Sequence, residues 1–113
     1  MNENTLKQEL NTLHAGLCSA VADANRIMIL YELKNGPKYV GELAEALNLS
    51  QSATSRHLKI LKIQEIVSSQ RKGHHVTYHL IAPQLIDALD IFRAVLNDQL
   101  KHRVKLINEE RKG

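Results

Sequence analysis

Residues 40 to 64, VGELAEALNLSQSATSRHLKILKIQ, set two helically periodic segments on either side of a three-residue joint, Asn48-Leu49-Ser50. A chain built this way has few folds open to it, because the joint is too short for anything but two helices meeting at a sharp, fixed angle. In the first segment Val40, Leu43, Ala44 and Leu47 recur at i, i+3, i+4 and i+7, with Glu42 and Glu45 outside that face. Asn48 ends the helix, since Asn tolerates the left-handed conformation of helix C-termini. Ser50 is a good N-cap, so a second helix is expected from Gln51.

In that second helix Thr54, Leu58 and Leu61 fall on one face, while Ser52, Ser55, Arg56 and Lys59 take the opposite stripe. Arg and Gln bond bidentately to base edges, and Ser hydroxyls reach bases or phosphates at close range. Gln51, Ser52, Ser55, Arg56 and Lys59 are therefore the candidate readers of double-stranded DNA. Any solvated amphipathic helix also has a polar outer face; the tight joint and the small serines near the helix N-terminus favour DNA.

Two β-prone runs follow, Ile66 to Gln70 and Val76 to Ile81, joined by Arg71-Lys72-Gly73-His74-His75. They read as a hairpin with a basic tip, a wing, whose Arg71, Lys72, His74 and His75 would lie along the DNA backbone or minor groove. A plain solvated hairpin tip is the alternative. Upstream, Leu6, Leu10, Leu13 and Leu17 form a narrow helical seam. Asp23 can cap a helix holding Ile27, Leu30, Tyr31 and Leu33, which stops at Asn35-Gly36-Pro37. Pro83 opens a long helix striped by Leu85, Leu89, Phe92, Leu96 and Leu100, with Val104 and Ile107 beyond. The expected class is mainly α with a β-hairpin wing, a winged helix-turn-helix in the order α-α-α-α-β-β-α.

Apolar stripes at the two ends of a small chain need burial. A twofold interface made from Leu6, Leu10, Leu13, Leu17, Leu89, Phe92 and Leu96 is the economical solution, although the stripes can also cover the monomer's own core. A homodimer would carry two reading helices to successive major grooves, ~34 Å apart, on a roughly palindromic site.

ADANRIMILYELKNGP, then VGELAEALNLSQSATSRHLKILK, then VSSQRKGHHVTYHL resemble the ArsR/SmtB family of winged-helix bacterial repressors over roughly residues 15 to 100. LSQSATSRHLKIL carries the most specific part of the likeness. The resemblance implies a homodimeric repressor that leaves its operator when a metal ion or other small inducer binds. It also maps Gln51, Ser52, Ser55, Arg56 and Lys59 onto recognition-helix positions and Arg71 to His75 onto the wing. Thr54 departs from the family's usual apolar residue.

The inducer sites implied by the resemblance are missing. Where the family carries a Cys pair the chain reads Lys38-Tyr39-Val40-Gly41-Glu42, and its long C-terminal helix lacks the paired Asp and His ligands. No metal and no cofactor are expected. His75 and His79 share a strand face but stand about 13 Å apart, too far to chelate together. His57 is expected to pack beside the DNA face, and His14 and His102 near helix ends lack a defined partner. Dithiol sensing needs two thiols and the chain has one cysteine, Cys18. Single-thiol redox response at Cys18 and a structural thiol both stay open.

With 113 residues, a formal charge of +3 and no Pro/Gly/Ser-rich linker or repeat, one domain over 1–113 is expected, bearing dimerisation helices at both termini. MNENTLKQEL has no signal-peptide pattern and no apolar run reaches membrane-spanning length, so the cytoplasm is the expected compartment, with no membrane partner. No P-loop, Gly-rich cofactor turn, HExxH or assembled nucleophile and base points to an enzyme. A winged-helix protein-interaction module without its own operator is the alternative to the repressor, and the basic wing and Arg56 weigh against it.

Overall fold

Leu6, Leu10 and Leu13 recur at helical spacing and lie on α1 (Glu3–Leu13) in the computed structural model, which describes residues 3–112. The domain limits expected from sequence fall on Met1 and Gly113, outside the described residues. The helix does not end at Leu13: it continues as a π turn, His14–Cys18, whose wider i→i+5 bonding shifts the phase of the side chains. The straight seam expected through Leu17 is therefore broken. Leu6, Leu10 and Leu13 are exposed, whereas Leu17 is half-buried.

Asp23, in extended backbone, caps α2 (Ala24–Lys34): its Oδ1 accepts from the backbone N–H groups of Asn25 at 2.8 Å and Arg26 at 3.2 Å. The N–H of Arg26 is the chief cause holding the Asp23 carboxyl below its ordinary value; partial burial opposes this, while Asn25, His57 and the Arg26 charge assist. A carboxylate whose pKa is depressed by folding contributes stability at neutral pH and loses it as pH falls through the folded-state pKa. Asp23→Ala is accordingly expected to cost about 1 kcal/mol at neutral pH. In urea unfolding series the gap to wild type should close as pH is taken down through the carboxylate range.

The buried residues of α2 are Ile29, Leu30 and Leu33. Of the apolar residues read on this helix, Leu30 and Leu33 are buried and Ile27 and Tyr31 half-buried, and Ile29 is buried as well. The reason is tertiary: α2 touches α3, α4 and β3, so its apolar face must be wider than one periodic stripe. A two-residue strand that sequence did not indicate, β1 (Lys38–Tyr39), then pairs antiparallel with β3, Lys38 opposite Tyr78 and Tyr39 opposite Thr77. The wing is thus part of a three-stranded sheet in the order β1-β3-β2, and a strand is added to the expected order of elements.

The two central helices begin and end where their residues predict. In α3 (Val40–Leu47) the Glu42 carboxylate accepts from the Tyr39 N–H at 3.0 Å. The helix closes at Asn48, φ 56°, where the Leu49 N–H donates to the Ala44 carbonyl at 2.9 Å and the Asn48 N–H to that of Glu45 at 3.2 Å. Ser50 Oγ accepts from the Ala53 N–H at 3.1 Å and starts α4 (Gln51–Ile63). Thr54, Leu58 and Leu61 are buried, and the Thr54 hydroxyl donates to the Ser50 carbonyl at 2.9 Å, which is how a polar residue is tolerated there.

α4 closes with the same pair of bonds around Glu65, whose φ is 58°. A charged side chain gains nothing from that left-handed conformation, which costs L-residues about 1–2 kcal/mol. Glu65→Gly is expected to raise stability by about 0.5–1 kcal/mol, after the added unfolded-chain entropy is offset, measurable as a higher urea midpoint.

The hairpin is tighter than sequence suggested. β2 (Val67–Lys72) and β3 (His75–Leu80) pair as far as Lys72 opposite His75, leaving Gly73-His74 as the turn, with Gly73 at φ 63°. Arg71, Lys72 and His75, expected in a five-residue tip, are strand residues. The glycine lets the chain reverse in two residues, and ladder pairing claims the rest. At the base, Ile66 and Val67 are buried and join Leu43, Leu58 and Leu61 among the core residues.

These elements make one compact unit ending at Ala82; a second begins at Pro83. The second is α5 (Gln84–Lys112), 29 residues long, with the Ile86 N–H donating to the Pro83 carbonyl at 3.0 Å. Ile86 and Leu89 are buried, and from Ile91 to Lys112 every residue is exposed, Phe92 at 71%.

Candidate nucleic-acid interface

The buried triad of α4 dictates what its other side presents. With Thr54, Leu58 and Leu61 inward, helical geometry turns Gln51, Ser52, Ser55, Arg56 and Lys59 outward, and all five are exposed. Ser52 Oγ lies 3.3 Å from the capping Ser50 Oγ, which keeps both hydroxyls at the helix start. There the unpaired N–H groups and the helix dipole favour an anion, so the first turn suits a phosphate while Arg56 and Lys59 project one turn further on.

Helix and wing are joined from both ends. Lys62 Nζ donates to Ser69 Oγ at 2.7 Å, tying the last turn of α4 to β2. At the other end Gln51 and Ser55 line an open groove of about 830 Å³ together with Tyr39, His74, His75 and Tyr78. The groove thus brings two of the helix candidates and two of the wing candidates to one concavity. Arg56, Lys59, Arg71 and Lys72 are exposed but do not line it.

Tyr39 and Tyr78 are groove residues that were not candidates from sequence. The Tyr39 ring packs against that of His75, centroids 4.9 Å apart and tilted by 45°, so this imidazole is held by an aromatic neighbour. Tyr39 reaches the wing only because β1 pairs with β3, and two residues carry no periodic signal. Glu42 and Glu45 also line the groove. They put two carboxylates on the α3 side of a groove whose lining contains no Lys or Arg.

His57 and His79 have partners outside the groove, while His14 and His102 are exposed on their helices. His79 Nε2 is 2.6 Å from Ser68 Oγ across the β2-β3 ladder, and half-buried His57 faces Arg26 rather than the DNA-facing stripe. Among the described residues no group of three or more His, Cys, Asp or Glu side chains is placed to hold a metal ion. Cys18 is exposed on the π turn. Among the described residues no helix is long and apolar enough to cross a membrane.

Residues 23–69, from the cap of α2 into β2, match the model of the bacterial regulatory protein, arsR family. The chain is 38% identical over 76 residues to the HTH-type transcriptional regulator NmtR of Mycobacterium tuberculosis, a stretch covering 67% of this chain and 63% of that one. It is 39% identical over 71 residues to the transcriptional repressor SdpR of Bacillus subtilis, covering 63% and 79% respectively. Among solved structures, Rv0081 of Mycobacterium tuberculosis superposes with a TM-score of 0.74 at 32% identity, over 84% of this chain and 96% of that one. The exposed reading stripe, the wing and these likenesses agree: the chain belongs to the arsR family of bacterial regulatory proteins, and is a DNA-binding transcriptional regulator with a winged helix-turn-helix fold rather than an enzyme.

Proposed function

We propose that this regulator is a homodimeric repressor of a roughly palindromic operator. Gln51, Ser52, Ser55, Arg56 and Lys59 of α4 enter the major groove, and Arg71, Lys72, His74 and His75 of the wing follow the backbone or minor groove. The observation that carries this reading is the outward stripe of α4, set opposite three fully buried residues and sharing one groove with the wing tip. On this view the whole chain is one DNA-binding domain flanked by dimerisation helices, working in the cytoplasm where its operator is, and released by an inducer that is not a metal held by the familiar ligand sets.

Exposed apolar faces support the homodimer. Leu6, Leu10 and Leu13 on α1 are 46%, 50% and 41% exposed, and Phe92 and Leu96 on α5 are 71% and 48% exposed. Leu17 and Leu89, half-buried and buried, have less area to contribute. One face of each helix left in water is an unfavourable arrangement for a chain of this size. Two rigidly linked reading helices gain avidity that neither has alone. The double variant Leu10→Glu, Phe92→Glu is expected to sediment as a monomer and to bind a palindromic duplex about 10²-fold more weakly than wild type. A variant that stayed folded, monomeric and fully competent for binding would remove the dimer from the mechanism.

A second reading rests on Cys18, which is exposed and one residue before Ser19, whose carbonyl binds Arg26. Oxidation of that single thiol would disturb the end of the N-terminal helix and weaken operator binding. The function as a whole is tested by selecting duplexes from random sequence with the full chain. Selected duplexes should then be bound by fluorescence anisotropy in rising salt, with and without peroxide. Sequence enrichment and a steep salt slope are expected; failure to enrich any sequence would leave the protein-interaction module as the better reading.

A further inference from the structure

A polar cluster inside the first unit joins the end of the N-terminal helix to the middle of α4. Arg26, in the first turn of α2, has a side chain only 14% exposed. Its Nε donates to the Ala20 carbonyl at 2.6 Å and its Nη2 to the Ser19 carbonyl at 3.2 Å, while Nη1 lies 3.3 Å from His57 Nδ1. A guanidinium has no lone pair to offer, so Nδ1 accepts and the imidazole proton sits on Nε2.

Charge neutralisation does not explain the arrangement. The nearest carboxylate, Asp23, approaches only to 4.0 Å through Oδ2, and its Oδ1 is occupied in capping α2. Arg26 is instead held by carbonyls at a helix C-terminus, where orphan acceptors and the negative end of the dipole attract a cation. A position that had only to fill space would favour an apolar side chain, because a largely buried cation is costly to desolvate. What the guanidinium adds is direction: a planar fork whose bonds fix three stretches of chain relative to one another.

A second contact links the same two elements. A Cβ on Gly16 would stand 2.6 Å from Oε1 of Gln64, so the π turn and the C-terminal end of α4 approach closely there. The N-terminal helix is therefore registered against α4 at two heights, by Arg26 at His57 and by the bare Gly16 backbone at Gln64.

We propose that Arg26 and His57 are positioning residues for DNA recognition. They lock α4 against the end of the N-terminal helix, and so hold Arg56, the neighbour of His57 on the outer face, in register with the helix that bears Leu6, Leu10 and Leu13. Any displacement of that helix passes through the fork to the reading head. This inference rests on the base-reading role proposed for α4.

The test compares the full-length wild type with Arg26→Lys, His57→Leu, His57→Gln and the Arg26→Lys, His57→Leu double variant. The probes are a labelled duplex selected by wild type from random sequence and a scrambled duplex of equal length, and thermal unfolding is recorded for each protein. Arg26→Lys and His57→Leu are expected to lower the ratio of selected to scrambled affinity about tenfold, with affinity for the scrambled duplex nearly unchanged. The double variant should be no worse than the poorer single one. His57→Gln, whose Oε1 can accept from Arg26, should restore the ratio to within about twofold. A merely structural pair would lower the melting temperature and both affinities together. Full discrimination by a folded His57→Leu, or independent losses that multiply in the double variant, overturns the proposal and leaves α4 as the reader. If wild type prefers no duplex, the base-reading role itself falls and this inference with it. Should Arg26→Lys fail to fold, the His57→Leu and His57→Gln pair decides.

Discussion

Leu58→Ala is expected to lower the unfolding free energy by about 3 kcal/mol, within the range of about 2–5 kcal/mol for a fully buried leucine truncated in a packed core. Leu58 has no exposed surface and lies between Thr54 and Leu61, likewise fully buried, on the face of α4 that meets α2 and α3. Three helices cannot collapse onto the missing carbons without moving one another, so a cavity remains. Domains of this size have stabilities of only about 5–15 kcal/mol, so the loss is a large share of the total. Urea titration checks this: the midpoint should drop with the slope unchanged. Ile63→Ala on the same helix, where Ile63 is 66% exposed, should shift stability by no more than about 0.5 kcal/mol. Equal losses at the two positions would mean that the buried face of α4 has been misassigned.

Arg56→Ala should leave stability near wild type but reduce discrimination between operator and unrelated duplex by about 1–3 kcal/mol, if its guanidinium reads a base edge. Arg56→Lys should recover little, because an ammonium cannot make the bidentate fork. Lys72→Ala, at the last ladder position of β2, should behave differently. It should weaken binding to all sequences and flatten the slope of log K against log salt by about one. Anisotropy titrations across a salt series separate the two outcomes. Arg56→Ala with undiminished discrimination would transfer base reading to Gln51, Ser55 or Lys59.

The reading head was legible because its signals are local. Asn48 supplies the left-handed turn, Ser50 the cap, Gln51 the first helical residue, and Thr54, Leu58 and Leu61 the buried face, each read within one or two turns of helix. The misreadings share the opposite property. β1 is two residues long and exists because Lys38 and Tyr39 meet Tyr78 and Thr77, far along the chain. The breadth of the α2 core face follows from its three neighbours, which is why Ile29 is buried beside Leu30 and Leu33. The tip of the wing shortened because Gly73 reverses the chain tightly enough for Arg71, Lys72 and His75 to join the ladder.

Arg26 shows the same limit more sharply. In sequence it is a polar residue in the first turn of a helix, a usual place for one. Only in three dimensions do the Ser19 and Ala20 carbonyls and His57 converge on it.

From its residues alone the chain determines a helix-turn-helix with an outward row of polar and cationic side chains, because caps, left-handed turns and apolar periodicity act over a few residues and need no partner. Tertiary structure decided the third strand, the groove that Tyr39 shares with Gln51 and the wing, and the Arg26 link between the N-terminal helix and α4. Those depend on which distant backbone groups lie within hydrogen-bonding reach, and that is settled only when the core around Leu30, Leu43 and Leu58 has closed.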